Sequence, residues 1–289
     1  MANGGDSIKI AREYMDSLLV ESRIVGAVRP NSDIRFLGRD YKTPIMTAAL
    51  SHIDLKSMAE GALMAGAPVS IGMGSNEELG DVIKTGAAVM KIIKPYKDRD
   101  EIFKRIAFAK ENGAAAVGMD VEHSVNVEDP YDSVVVGEEM KLPTIDELRE
   151  YVDFAGIPFF IKGAMSLHDA KAAANIGCTG IILSHHNGLM RYAAPHVMVL
   201  PEIRKAMGDN LILIADGGME SGFDAFKALA LGADLVTVGR ALMEPLKNNG
   251  AQGVCDTLTK MTEQLQAMML RTSSPDLKHI DPSVIRRMN

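Results

Sequence analysis

Four apolar runs in the second half of the chain each end in residues whose types suit chemistry. Residues 158–161 lead into Lys162-Gly163, and 180–183 into Ser184-His185-His186-Asn187-Gly188. Residues 211–215 lead into Asp216-Gly217-Gly218, and 235–238 into Gly239-Arg240. Lys162, closing an otherwise apolar run, is either a snorkelling side chain or a partly desolvated cation. As a cation it would form a Schiff base with a carbonyl substrate, or act as a fixed positive charge beside an electron-rich ligand. His185 and His186 are adjacent, so in a strand they point to opposite sides and at most one faces a site. That one is a general-base candidate, because imidazole titrates near working pH. The other is a structural, hydrogen-bonded histidine. Glycines in Asp216-Gly217-Gly218 and Gly239 let backbone amides approach an anion, and Arg240 adds a bidentate charge. Asp-Gly-Gly alone is a weak signal, since such triplets often make turns. With Gly-Arg at the next run it points to a phosphorylated ligand.

The elements that must position these residues are short apolar runs separated by helical patterns at 167–177, 199–207 and 222–231, which is the pattern of βαβ units around a parallel sheet. Further runs at 44–49, 68–73, 89–93 and 116–121 alternate with helical segments at 55–64 and 98–112. Eight alternations predict an α/β fold, a TIM (β/α)8 barrel in a single domain, whose chemistry sits at the C-terminal ends of its strands. Residues 1–43 are read as an N-terminal helix (6–22) and a hairpin (34–42) capping the barrel bottom. Residues 44–271 form the barrel, and 272–289 a tail packed across it as short turns. Residues 123–142 are polar, acidic and longer than an ordinary βα connection, so they form either a lid or a disordered loop.

Bulk properties narrow the classes. A formal charge of −7 leaves no basic footprint for nucleic acid. No apolar run is long enough for a transmembrane helix, and the first twenty residues lack a signal-peptide layout. The two cysteines, Cys178 and Cys255, lack metal-ligand spacing, so no metal is expected and a reducing, cytoplasmic compartment is. The 19 Met residues read as core filler.

Over residues 157–243 the order of these motifs resembles the FMN-dependent α-hydroxy-acid oxidase and dehydrogenase family, the glycolate oxidase and lactate oxidase type. The resembling features are strand-Lys162-Gly163, Ser184-x-His186-x-Gly188, Asp216-Gly217-Gly218, the run Phe226-Lys-Ala-Leu-Ala-Leu-Gly-Ala233 and Gly239-Arg240. Leu37-Gly38, Pro44-Ile45, Lys97-Asp98-Arg99 and the 268–270 region extend the likeness more loosely over nearly the whole chain. The resemblance implies an FMN cofactor and an oxidoreductase acting on a small 2-hydroxy-acid-like substrate, assembled as a homo-oligomer, tetramers being common among relatives. It implies that His186 is the catalytic base while hydride passes to flavin N5, and that Lys162 lies by the flavin N1–O2 edge and stabilises the reduced ring. Ser184 would contact the isoalloxazine, and Ala49, Leu50 and Ser51 would lie under it. Asp216, Gly217, Gly218, Gly239 and Arg240 would hold the ribityl and phosphate.

Departures from the family's pattern matter as much. Leu189 stands where an arginine three positions after the histidine grips the substrate carboxylate, and no Gly-Arg-Arg pair occurs in 123–142. Glu220 replaces a phosphate-contacting arginine. Gly72, Ile92, Lys94 and Asp120 replace ring-contacting serine, glutamine, tyrosine and threonine. Lys91, Lys94, Asp120 and Arg191 are the remaining candidates for holding substrate, with Lys91 expected to point into the barrel mouth. These losses keep open an FMN-dependent isomerase without net redox, similar to type 2 isopentenyl-diphosphate isomerase. A barrel used only as a binding module is the third reading, and solvent access to His186 discriminates it.

Overall fold

The computed structural model describes residues 4–186 and 188–288; Asn187 lies outside them. Eight parallel strands form one sheet: β1 (Ile45–Thr47), β2 (Val69–Ile71), β3 (Val89–Ile93), β4 (Ala116–Asp120), β5 (Phe159–Lys162), β6 (Gly180–Leu183), β7 (Ile212–Asp216) and β8 (Leu235–Val238). Their spatial order is β1-β8-β7-β6-β5-β4-β3-β2. The ring closes between β1 and β2 without a regular ladder. Thr47 N donates to Pro68 O at 3.2 Å, Gly72 N to Leu50 O at 2.8 Å, and Thr47 Oγ1 to Ser70 O at 2.8 Å. The TIM barrel expected from the alternation is therefore the fold.

Helices α1 (Ser7–Ser17), α2 (Leu55–Ala65), α3 (Asn76–Lys84), α4 (Arg99–Glu111), α5 (Ile145–Ala155), α6 (Leu167–Asn175), α7 (His196–Met207), α8 (Gly222–Ala230) and α9 (Arg240–Arg271) account for the helical segments. Their starts are chemically marked. Ser75, Thr144 and Ser221 each build a capping box with the acidic residue three positions on. α1 ends earlier than the periodicity predicts, because Leu18–Val20 turns into a strand that pairs antiparallel with Ile285–Arg287 of the tail. The tail is thus stitched to the N-terminal segment by backbone hydrogen bonds rather than lying across the barrel as turns alone.

The strand period of two sorts side chains into two cores. Met46, Met90, Ile92, Ala116, Phe160, Ile182, Ile214 and Leu235 fill the barrel interior, while Val89, Ile93, Val117, Ile161, Ile181, Leu213 and Val236 face the helices. Phe36, on the Ile34–Phe36 and Arg39–Tyr41 hairpin, plugs the bottom and meets Phe160 edge-on at 6.2 Å. The 226–233 run packs a helix, as expected: Ala225, Phe226, Ala228 and Leu229 of α8 are buried. Gly222 at its start is required by close approach, since a Cβ there would lie 1.9 Å from Met261 O of α9. Gly222→Ala is therefore expected to cost about 1–3 kcal/mol, the usual overpacking penalty, read as a lowered denaturation midpoint with m unchanged.

Residues 123–142 are folded. A 3-10 turn at Val121–Ser124 is followed by a hairpin, Val134–Val135 against Glu138–Glu139. Bridges join Val125 to Asp132 and Tyr96 to Met140, and Met140 is fully buried. Ordered backbone pairing removes the disordered-loop reading.

Candidate active site

The same two-residue period that sorts the cores builds the site. Lys94, Asp120, Lys162, Ser184, Asp216 and Thr237 each come two positions after an inward-facing residue of β3 to β8, so all six rise from the inner wall at the C-terminal rim. Register sets which of them meet. Lys162 lies opposite Asp120 on β4, and Asp216 opposite Thr237 on β8. Gly118 below leaves room for this packing, since a Cβ there would stand 2.6 Å from Ile92 Cδ1.

The result is a buried ionic lattice. Lys162 Nζ is 3.6 Å from Asp120 Oδ2 and 3.4 Å from Asp216 Oδ2, and donates to Ser184 Oγ at 3.0 Å. Ser184 Oγ in turn donates to Asp216 Oδ2 at 2.6 Å, and Thr237 Oγ1 donates to Asp216 Oδ1. Burial alone would lower the Lys162 ammonium's pKa, but Asp120 and Asp216 outweigh it and hold it above the ordinary value. Burial likewise disfavours both carboxylates as anions, yet Lys162 keeps both ionised, Asp120 well below its usual range.

His186 follows β6 with φ 39°, a left-handed conformation that is strained for a β-carbon-bearing residue. The turn aims its ring at Asp120, with Nδ1 2.9 Å from Oδ2 and 3.1 Å from Lys162 Nζ. The carboxylate is the nearer partner and can only accept, so Nδ1 carries the proton and donates to Asp120, leaving Nε2 as a base. Burial lowers the ring's pKa to about 4, with Asp120 opposing the shift, so the imidazole is neutral at pH 7. Its side chain remains 35% accessible, which argues against a sealed binding module. His185 is the structural partner of the pair, tied to Glu122 Oε1 at 3.2 Å and Ala194 O at 3.0 Å.

Above this lattice opens a cavity of about 260 Å³. Its wall includes Ala49, Leu50, Lys162, His186, Asp216, Gly217, Gly218, Gly239 and Arg240, so nine residues expected from the resemblance converge on one hollow. Among the described residues a Cβ on Gly217 or Gly218 would meet nothing within 4 Å, and both have positive φ. Their backbone therefore lines open space. Gly239, N-cap of α9, makes no side-chain cap, which leaves that helix's first amides for an anion. Among the described residues, Asp120 Oδ1 is buried without a hydrogen-bond partner. An open glycine cradle, an uncapped helix start and a buried cation fit a phosphorylated, electron-rich ring cofactor. Glu220, also in the wall, is discordant.

Five expectations change. Lys91 does not enter the mouth. It shares the outward parity of Val89 and Ile93, and its Nζ donates to Gly72 O at 2.5 Å among groups of α3 and α4. Arg191 is exposed and paired with Glu128 at 2.8 Å, outside the cavity wall. Asp120 is 1% exposed and held by Lys94, His123, Lys162 and His186, so it supports the base instead of standing free for a substrate or a ring. Ser184 is fully buried beneath the cavity, its hydroxyl engaged by Asp216, Lys162 and His186 N, while Ser51 is absent from the cavity wall. Lys94 does face inward, 2.9 Å from Asp120 Oδ2 and 2.9 Å from His123 Nδ1.

His123 is the residue that the sequence reading passed over. Its ring packs edge-on against His186, centroids 3.9 Å apart. The available signal was its place three residues after a strand-ending Asp, hidden by reading 123–142 as one loop. Asp120, His123 and His186 bring ligand atoms within 4.8 Å of one another, a spacing compatible with a metal. Lys94 Nζ, within hydrogen-bond reach of Asp120 and His123, already places an ammonium there, and a divalent ion beside two lysines would be repelled.

Comparison with known proteins agrees with this fold. A family model described as FMN-dependent dehydrogenase matches residues 2–135 and 124–287. L-lactate oxidase of Lactobacillus jensenii is 27% identical over 94% of this chain and 75% of its own length. L-lactate dehydrogenase of Caulobacter sp. (strain K31) is 38% identical, but over 45% of this chain and 34% of that protein. The 2-hydroxyacid oxidase of Dictyostelium discoideum is 35% identical over 50% of this chain and 38% of that protein. Among solved structures, a mandelate oxidase mutant with (S)-mandelic acid superposes with TM-score 0.87 at 21% identity, covering 98% of this chain and 90% of that one.

Proposed function

The chain belongs to the FMN-dependent dehydrogenase family, and from that premise we propose that it oxidises a small 2-hydroxy acid to the 2-oxo acid. The observation that carries this is the Asp120–His186–Lys162 contact set beneath an open cavity. When bound, FMN supplies the two-electron oxidant that takes the substrate's hydride. Gly217, Gly218, Gly239 and Arg240 would hold its phosphate end, and Ala49 and Leu50 its ring. His186 Nε2 takes the hydroxyl proton, and Asp120 stabilises the imidazolium that forms. Lys162 offers positive charge where electron density grows.

The relatives named above are oxidases and dehydrogenases, so they lend no support to the isomerase alternative. The test is anaerobic incubation of the flavin-loaded protein with a panel of 2-hydroxy acids and amines. Bleaching of the flavin by a hydroxy acid is the expected result. No bleaching by any of them would overturn the reading. A reducing, cytoplasmic setting, supported by the unpaired Cys178 and Cys255, and a homo-oligomeric state, testable by sedimentation, belong to the same proposal.

Because His186 must be neutral to accept a proton, a pKa of about 4 moves the acid limb downward. With substrate ionisation corrected for, kcat/KM is expected to stay level from pH 8 to about 5 and to fall only as pH drops through about 4. A break near the ordinary histidine value of about 6.5 would show that the ring is not held in this environment.

A further inference from the structure

The anion end of the cavity carries an unresolved charge. Glu220 lines it, and Asp224, 5% exposed in the first turn of α8, accepts from Glu220 N and Ser221 N at 3.1 Å each. Two carboxylates therefore stand near a phosphate site whose described wall offers the side chain of Arg240. Asp224 also offsets the positive end that α8 would present.

The N-terminal helix answers this. Arg12 of α1 reaches Asp224 Oδ1 with Nη2 at 2.9 Å and Gly218 O with Nη1 at 3.3 Å. Its further contact with Asp16 is to a side chain 65% exposed, so the buried Asp224 is the stronger partner. α1 is itself anchored to the loop that follows His186. Ala193 N donates to Ser7 Oγ at 3.0 Å, Ser7 Oγ to Met190 O, and Tyr192 N to Gly5 O at 3.0 Å.

We propose that Arg12 is a positioning residue for the phosphate of the flavin nucleotide: it neutralises Asp224 and draws the Gly218 carbonyl onto α1, restoring an anion-binding turn where Glu220 displaces the expected arginine. The inference rests on the FMN reading above. One helix then ties the phosphate turn to the loop carrying the base, so cofactor seating and base placement share a support.

The test compares FMN with riboflavin, which lacks the phosphate, by quenching of flavin fluorescence on titration with the cofactor-stripped protein. Arg12→Gln is expected to weaken FMN about 10- to 100-fold, roughly 1.4 kcal/mol per tenfold, and riboflavin less than about threefold. Arg12→Lys keeps the charge but loses the two-armed contact, so it should lose FMN affinity several-fold while remaining folded even if the glutamine variant does not. Glu220→Gln should strengthen FMN and leave riboflavin unchanged. Equal losses for both flavins in the Arg12 variants, or unchanged FMN binding, would overturn the Arg12 role alone. Wild-type protein that binds neither flavin would remove the FMN reading, and this role with it.

Discussion

His186→Gln is expected to lower turnover with a 2-hydroxy acid by about two to four orders of magnitude, the usual scale for loss of a general base, while flavin still binds. The expectation follows from how the ring is held. Its Nδ1 lies 2.9 Å from Asp120 Oδ2, and Asp120 is kept ionised by Lys162 in a site 1% exposed. A glutamine amide can hydrogen-bond to the same carboxylate but cannot accept the substrate proton at neutral pH. Stopped-flow flavin reduction under anaerobic conditions isolates this step from re-oxidation. Reduction at the wild-type rate would move the base elsewhere, and His123, whose ring touches that of His186, would be the first residue to test.

Lys162→Met is expected to destabilise the fold by about 3–5 kcal/mol, the scale for leaving one partner of a buried ion pair uncompensated. In a chain of this size the melting temperature should drop on the order of 10 °C. Lys162 is 3% exposed and its ammonium lies within 4 Å of both Asp120 and Asp216. Methionine fills the space but leaves two carboxylates without their shared counter-charge. The second substitution Asp216→Asn should recover part of the loss, because it removes one of the stranded charges. Thermal unfolding of cofactor-free protein checks this without contribution from bound flavin. A variant that melts with the wild type would mean that the two carboxylates are solvated or protonated, and the lattice described here would not stand.

The Arg12 proposal adds a different consequence. Truncating α1 should loosen the cofactor more than the barrel, since the inner core of Met46, Met90, Ile92, Phe160, Ile182 and Ile214 takes no residue from that helix, which adds Met15 to the outer one.

Much of this was legible in the order of residues. A strand's period of two makes the side of each residue a matter of counting, so Lys162, Asp216 and Thr237 had to share a wall once Phe160, Ile214 and Leu235 were assigned to the interior. Capping boxes at Ser75, Thr144 and Ser221 marked helix starts locally, by hydrogen bonds that span three residues. The glycine turns were legible for the same reason. What the chain alone did not decide was parity in β3 and pairing across the mouth. Lys91 and Lys94 are three apart, so one faces the helices and the other the lumen, and an apolar run with no polar alternation does not say which. Asp120 looked available because only His123, three residues on, is a local partner; Lys94, Lys162 and His186 arrive from the ends of three other strands. Register and barrel closure, which depend on packing across the whole ring, decided that Asp120 would become the group that holds the base.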